Sequence, residues 1–254
     1  MMDCILTARG LGVRFGQFVA NRGIDLEVRP NSIHALIGPN GAGKTTFFNA
    51  LTGRLLPSEG AVSFRGRDIT RMPMNRRAHI GMARCFQITS LFQGLTAREN
   101  LRVAAQGMRP LKALNFWSGK EHIREASEIA DGLIERLSLQ KLAHRKVSEL
   151  SHGRQRMLEV AMSLASRPKM LLLDEPTSGM GVDDIPMMRD LLRELSRDHT
   201  ILYVEHNMHL VMTLSDRITV LYQGEVLVEG TPDQIRGDDR VRRVYLGERQ
   251  HAKA

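Results

Sequence analysis

"GPNGAGKT", Gly38–Thr45, decides how the rest of this 254-residue chain is read. It follows the apolar run "SIHALI" and precedes "TFFNALT", which is the strand–loop–helix setting that the spacing G-x-x-x-x-G-K-T requires. Glycines there let consecutive backbone N–H groups point inward around a phosphate, and the dipole of the following helix favours negative charge. Gly38, Pro39, Asn40, Gly41, Ala42 and Gly43 are therefore expected to form the cradle. Lys44 is expected to reach the β- and γ-phosphates, Thr45 to hold Mg²⁺ through its hydroxyl, and Thr46 to donate to the α-phosphate.

Such a loop needs a second oxygen ligand for the metal and a group that positions water, both at the end of a neighbouring strand. "MLLLDEP" offers them. Asp174 follows an apolar run and suits the metal; Glu175 suits the general base. His206 ends the run "ILYVEH" in the same way, on the sheet edge where ligands bind, and is placed to donate to the γ-phosphate.

Outward from these runs, the chain alternates strand and helix. "KMLLLDEP" and "TILYVEHN", with a helical pattern through Leu191, Leu192 and Leu195 between them, argue a parallel sheet with crossover helices. Residues 1–37 read as antiparallel strands ending in the glycine loop. Residues from about 88 to 150 read as a helical insert, with capping boxes at Thr96/Glu99 and Ser118/Glu121 and apolar spacing through Ile123, Ala126, Ala130, Leu133 and Leu137. "RITVLYQGEVLVEG" is a hairpin turning at Gln223-Gly224, followed by a helix capped by Thr231 and begun by Pro232. The end, "RQHAKA", is expected to fray.

At 42% hydrophobic residues the chain can bury a substantial core, and no run is long enough for a membrane span or a signal peptide. Cys4 and Cys85 have no metal-like spacing and are read as reduced thiols of a cytoplasmic protein. The net charge of +8 is mostly scattered arginine, and its densest run, Arg65–Arg77, lacks the aromatics of a base-stacking platform, so no nucleic-acid partner is expected.

"LSHGRQRMLEV", Leu150–Val160, begins a second helix with a serine and a glycine. Ser151 either donates to a phosphate or simply caps the helix. The order "GPNGAGKTT", Gln87 in "RCFQ", "LSHGRQR", "LLLDEPTSG" and "YVEHN" resembles the nucleotide-binding subunits of ABC transporters over nearly the whole chain. That resemblance implies a P-loop NTPase core with an antiparallel β subdomain and a helical insert, in a single unit. Residues 1–87 and 157–254 form the ATP-binding core, and 88–156 the helical part with the signature segment. It also implies ATP and Mg²⁺ as ligands, and a second ATP-binding subunit, identical or not, facing head to tail. Ser151, His152, Gly153 and Arg154 then serve the ATP of the partner, with histidine standing where the family has glycine. Gln87 joins Thr45 and Asp174 at the metal and senses the γ-phosphate. Phe15 either stacks on adenine, where the family has tyrosine, or is a core residue, and Ser178, Gly179 and Met180 form an inter-subunit loop. The insert docks on permease subunits, which hold the chain peripherally on the cytoplasmic face of the inner membrane.

"GMARCFQITSLFQGLTARENL", "YVEHNM" and "GEVLVEGTPDQIRGDDRVRRVYLGE" are similar to the ATPases of branched-chain amino-acid importers and their urea and amide relatives. An exporter ATPase, or a non-transport ABC protein acting on nucleic acid or ribosomes, stays open as an alternative.

Overall fold

A computed structural model describes residues 4–85, 91–107 and 116–251, the side chains of 116–122 and 246–251 lying outside the description. In chain order the elements are β1 (Leu6–Phe15), β2 (Phe18–Val28), β3 (Ile33–Ile37), α1 (Lys44–Thr52), β4 (Glu59–Phe64), β5 (Arg67–Asp68), α2 (Met74–His79), β6 (Met82–Cys85), α3 (Ala97–Gln106) and α4 (Phe116–Arg136). There follow α5 (His152–Leu164), β7 (Met170–Asp174), α6 (Ile185–Leu195), β8 (Thr200–Val204), α7 (Met208–Leu214), β9 (Arg217–Tyr222), β10 (Glu225–Gly230), α8 (Pro232–Gly237) and α9 (Asp239–His251).

The strands make two sheets, β2-β1-β4-β5 and β10-β9-β3-β8-β7-β6. β1 pairs antiparallel with β2, as expected of the N-terminal runs, and also with β4 from beyond them. β3 does not. It lies parallel between β8 and β9 in the larger sheet, because its residues are buried on both faces and only a central position covers both.

Alternation along these strands separates two cores. Ile33, Ala35, Leu171, Leu173, Ile201 and Tyr203 face α5, α6 and α7, in a cluster that continues through Leu158 and Ala161 into Leu101, Ala126, Ala130 and Leu133 of the helical insert. Leu36, Leu172, Leu202 and Val204 face α1 and the smaller sheet, where Phe47 and Phe48 are fully buried. Each such phenylalanine contributes ~1.5–3 kcal/mol on leaving water. α5 is continuous through residue 156, where the sequence reading divides insert from core, so one helix belongs to both.

Local signals are mostly realised. Thr96 and Glu99 form the capping box of α3; Thr231 caps α8 with Pro232 at its start; Gln223 (φ 49) and Gly224 (φ 83) turn the β9–β10 hairpin. Three expectations are corrected. α4 begins at Phe116, so Ser118 is inside the helix rather than its cap. Ile123 is half exposed, because the apolar stripe of α4 enters the core only from Ala126 onward. Of the six residues of "RQHAKA" expected to fray, Arg249 to His251 stay in α9, and 252–254 lie outside the described residues.

Candidate functional site

The loop after β3 closes around its own lysine. Lys44 Nζ donates to the carbonyls of Gly38 (2.6 Å) and Pro39 (2.7 Å), and the residue is 6% exposed. Gly43, at φ 90, caps α1; a Cβ there would strike the amide of Asn21 and the carbonyl of Ala20, and one at Gly38 would strike the carbonyl of Leu221. These glycines are thus required by the walls behind the loop. Asn21 Nδ2 donates to Gly43 O (3.2 Å) and the Gly224 N–H to Ala42 O (3.1 Å), tying the loop to β2 and to the β9–β10 turn. Thr45 is exposed at the helix start, and Thr46 is half buried beside it.

Asp174 ends β7 and Val204 ends β8, directly paired in register, so the two strand ends open on the same edge. Asp174 is buried, with Oδ2 3.0 Å from Arg84 Nη2. Arg84 also donates to Asn49 Oδ1 (2.8 Å) and Thr52 Oγ1 (2.9 Å) of α1 and lies 5.2 Å over the Phe48 ring, bracing the carboxylate against the helix behind the phosphate loop. Burial pulls the Arg84 guanidinium below its ordinary value, with Asp174 opposing; burial pushes the neighbouring Cys85 thiol up to about 12.

Glu175 has φ 48, a conformation that costs a non-glycine residue about 1–3 kcal/mol and persists only where its surroundings enforce it. Its N–H donates to Val204 O (2.9 Å), and its carboxylate Oε1 lies 3.0 Å from His206 Nε2. The sheet therefore brings together Glu175 and His206, which the sequence separates by thirty residues.

Two residues unassigned by sequence reading hold this turn. Glu205 is buried; it accepts from the Thr177 N–H (2.9 Å) and hydroxyl on one oxygen and from the N–H groups of His206 (2.7 Å) and Asn207 (2.9 Å) on the other. Arg156 of α5 donates to the carbonyls of Asp174 and Glu175. Glu205 is legible in the sequence as an acid between an apolar run and a strand-end histidine; Arg156 lies two residues beyond Ser151–Arg154, to which the resemblance assigns a role.

Ser151 caps α5, accepting from the Arg154 N–H (3.4 Å), and is exposed with His152 and Arg154. Gly153 is buried beneath Asp184: a Cβ there would strike the carboxylate, so the close approach that this glycine permits is used within the chain. Ser178 and Gly179 are exposed in the turn after Glu175, with Met180 half buried against the core. Phe15 sits at the tip of the β1–β2 hairpin, paired with Phe18 and 52% exposed, so it is not a core residue. Gln87 lies outside the described residues.

The chain matches the sequence model of the ABC transporter family over residues 21–178 and that of the branched-chain amino acid ATP-binding cassette transporter over residues 225–251. It is 41% identical over 253 residues to the high-affinity branched-chain amino acid transport ATP-binding protein BraF of Pseudomonas aeruginosa, covering 96% of this chain and 98% of that one. To LivG of Escherichia coli, which carries the same description, it is 41% identical over 256 residues, covering 98% and 100%. Among solved structures, an ATP-binding cassette of an ABC transporter in its ADP conformation matches with a TM-score of 0.85 at 30% identity, covering 96% of this chain and 99% of that one.

Proposed function

Because the chain belongs to the ABC transporter family, as one of its ATP-hydrolysing cassettes, we propose that it powers uptake of branched-chain amino acids or related amides through membrane permease subunits, from the cytoplasmic face of the inner membrane. The observation that carries the substrate class is the match of the last hairpin and helices, residues 225–251, to the branched-chain amino acid cassettes, beside the end-to-end likeness to BraF and LivG. Among the described residues no helix is long and apolar enough to cross a membrane.

In this reading the backbone from Gly38 to Gly43 and the Lys44 ammonium hold the phosphates of ATP, Thr46 adds a hydroxyl, and Phe15 offers its ring to adenine. Mg²⁺ binds through one or two protein oxygens plus phosphates and water, and the exposed Thr45 at the start of α1 and the Asp174 carboxylate at the end of β7 offer oxygens of that kind. Thr45, Asp174 and Gln87 would hold it. When bound, it neutralises charge developing on the phosphates. Glu175 takes the proton of the attacking water, and His206, whose Nε2 lies 3.0 Å from that carboxylate, turns its one N–H from Glu175 to the terminal phosphate when ATP is bound. The rigid frame for both is Glu205 and the paired ends of β7 and β8.

The exposed Ser151, His152 and Arg154, with Gly153 contributing through its place in the helix start rather than by close approach, serve the ATP of a second cassette, with Ser178, Gly179 and Met180 between the two chains. Residues 1–87 and 157–254 act as the core and 88–156 as the part that meets the permeases, with α5 spanning the division. Two measurements test this. In a background lacking Cys4 and Cys85 and carrying Glu175→Gln, cysteines introduced at Asn40 and His152 should crosslink chain to chain only with ATP; crosslinks confined to single chains would refute the shared site. In proteoliposomes holding the complete transporter captured through this chain, leucine, isoleucine or valine uptake should require ATP, and uptake of urea alone would reassign the substrate.

A further inference from the structure

Arg156 occupies a position that the cassette's assigned chemistry leaves unexplained. Its guanidinium is buried and makes bonds in two directions. Toward its own helix, Nη1 is 2.7 Å from Oε2 of Glu159, one turn along α5, with both side chains at most 10% exposed. Toward β7, Nη2 donates to Asp174 O (2.9 Å) and Glu175 O (3.0 Å), and Nε to Pro176 O (3.4 Å).

Consecutive carbonyls of an extended strand point to alternate sides. Three in a row can meet one cation only where the backbone is bent, and the bend here is the left-handed Glu175. The converging carbonyl dipoles repel one another, and a planar fork of N–H donors both satisfies and neutralises them. A lysine, with a single nitrogen, cannot span that arc. The Glu159 carboxylate in turn keeps the guanidinium from swinging away.

We propose that Arg156 is a positioning residue for hydrolysis: it holds the Asp174–Glu175–Pro176 turn in the bent conformation that sets the Glu175 carboxylate against His206. The inference rests on Glu175 being the base. It also means that α5, whose first turn is offered to a second nucleotide, is bonded through one side chain to the catalytic turn of its own chain.

The test uses the full chain with Arg156→Lys, Arg156→Gln and the charge-neutral pair Arg156→Gln/Glu159→Gln, the last so that no buried Glu159 charge is left to unfold the protein. Single-turnover hydrolysis should fall about 10-fold for Lys and on the order of 100-fold for both Gln variants, within the span that a misplaced general base loses. The dissociation constant for a fluorescent ATP analogue should stay within about twofold, since the phosphate loop makes none of these bonds. Hydrogen exchange at the Glu175 amide, which donates to Val204 in the parent, should accelerate in the Gln variants. In a Glu175→Gln background, Arg156→Gln should add less than about threefold, because residues acting as a unit are not additive. Parent-rate hydrolysis by a folded Arg156→Gln/Glu159→Gln chain overturns the proposal, as does a full additional loss in the Glu175→Gln background. Parent-rate hydrolysis by Glu175→Gln alone overturns the base reading instead, and the exchange rate at Glu175 then decides whether Arg156 holds the turn.

Discussion

His206 Nε2 stands 3.0 Å from Glu175 Oε1, so the ends of two parallel strands present an acid–imidazole pair as a unit. The two differ in exposure: the Glu175 side chain is 26% exposed and that of His206 47%. The backbone of each is held, that of Glu175 in its bent conformation and that of His206 by the Glu205 carboxylate that accepts its main-chain N–H, so the imidazole contact orients the Glu175 carboxylate.

Glu175→Gln should slow single-turnover hydrolysis by about 10²–10⁴-fold with ATP affinity retained, because it removes the base and leaves the phosphate cradle. His206→Ala should lose less, and the double variant no more than Glu175→Gln. Additive losses would separate the two residues into independent roles.

Lys44→Ala should fail at the earlier step. Its ammonium bonds Gly38 O and Pro39 O, so the substitution removes a phosphate ligand and also the tie that keeps the loop closed. ATP affinity measured by equilibrium binding should fall at least about 10-fold, the range of one lost charge-assisted bond. Asp174→Asn should instead abolish the difference between binding with Mg²⁺ and binding in a chelator.

Phe15→Ala should weaken ATP about 2–10-fold, the range of one lost ring–ring contact, whereas Phe15→Tyr should match the parent. Equal affinities across all three chains would take Phe15 out of the adenine site.

Acid should destabilise the larger sheet through His34. This residue is 1% exposed on β3, 2.8 Å from Thr219 Oγ1 of β9, and burial lowers its pKa from 6.5 to about 4, against the opposing pull of Glu229. Between those values the unfolded chain binds a proton that the folded chain refuses. Stability is therefore complete above pH 6.5 and is lost as pH falls toward 4, by on the order of 3 kcal/mol. Urea unfolding across that window should show the slope in the parent and a flatter one in His34→Gln.

Arg77→Met should cost at least about 3 kcal/mol, the scale for stranding several buried acceptors at once. Arg77 is 1% exposed, and its guanidinium donates to the carbonyls of Ala50, Leu51, Met72, Ile69 and Thr70, closing the C-terminal end of α1 against α2. Arg77→Lys should recover only part of the loss in a denaturant titration.

Arg77 marks what sequence reading reaches and what it does not. It lies in the basic run Arg65–Arg77, which the sequence shows only as a cluster of charge without aromatics, and its partners are backbone carbonyls, which leave no mark in a sequence. Arg156 escapes for the same reason, and Arg84 because its acceptors come from α1 and β7. The phosphate loop, the strand-end acids and the caps at Thr96 and Thr231 were legible, since each is encoded within a few residues. β3 was legible as a strand but not in its neighbours, which arrive more than 160 residues later.

That late arrival orders events on the ribosome. β3 launches the phosphate loop, yet both of its flanking strands and the Gly224 turn that bonds Ala42 and Arg22 come from residues 200–224 of 254. A nascent chain stalled before that point has β1, β2 and α1, and so the wall that Ala20 and Asn21 make, but lacks the Leu221 and Gly224 wall, and it carries an apolar strand with two open edges. The phosphate loop therefore gains its second wall only after residue 224 has been made, and a fragment that stops before residue 200 would leave Gly38 and Ala42 without the Leu221 and Gly224 contacts that shape the cradle.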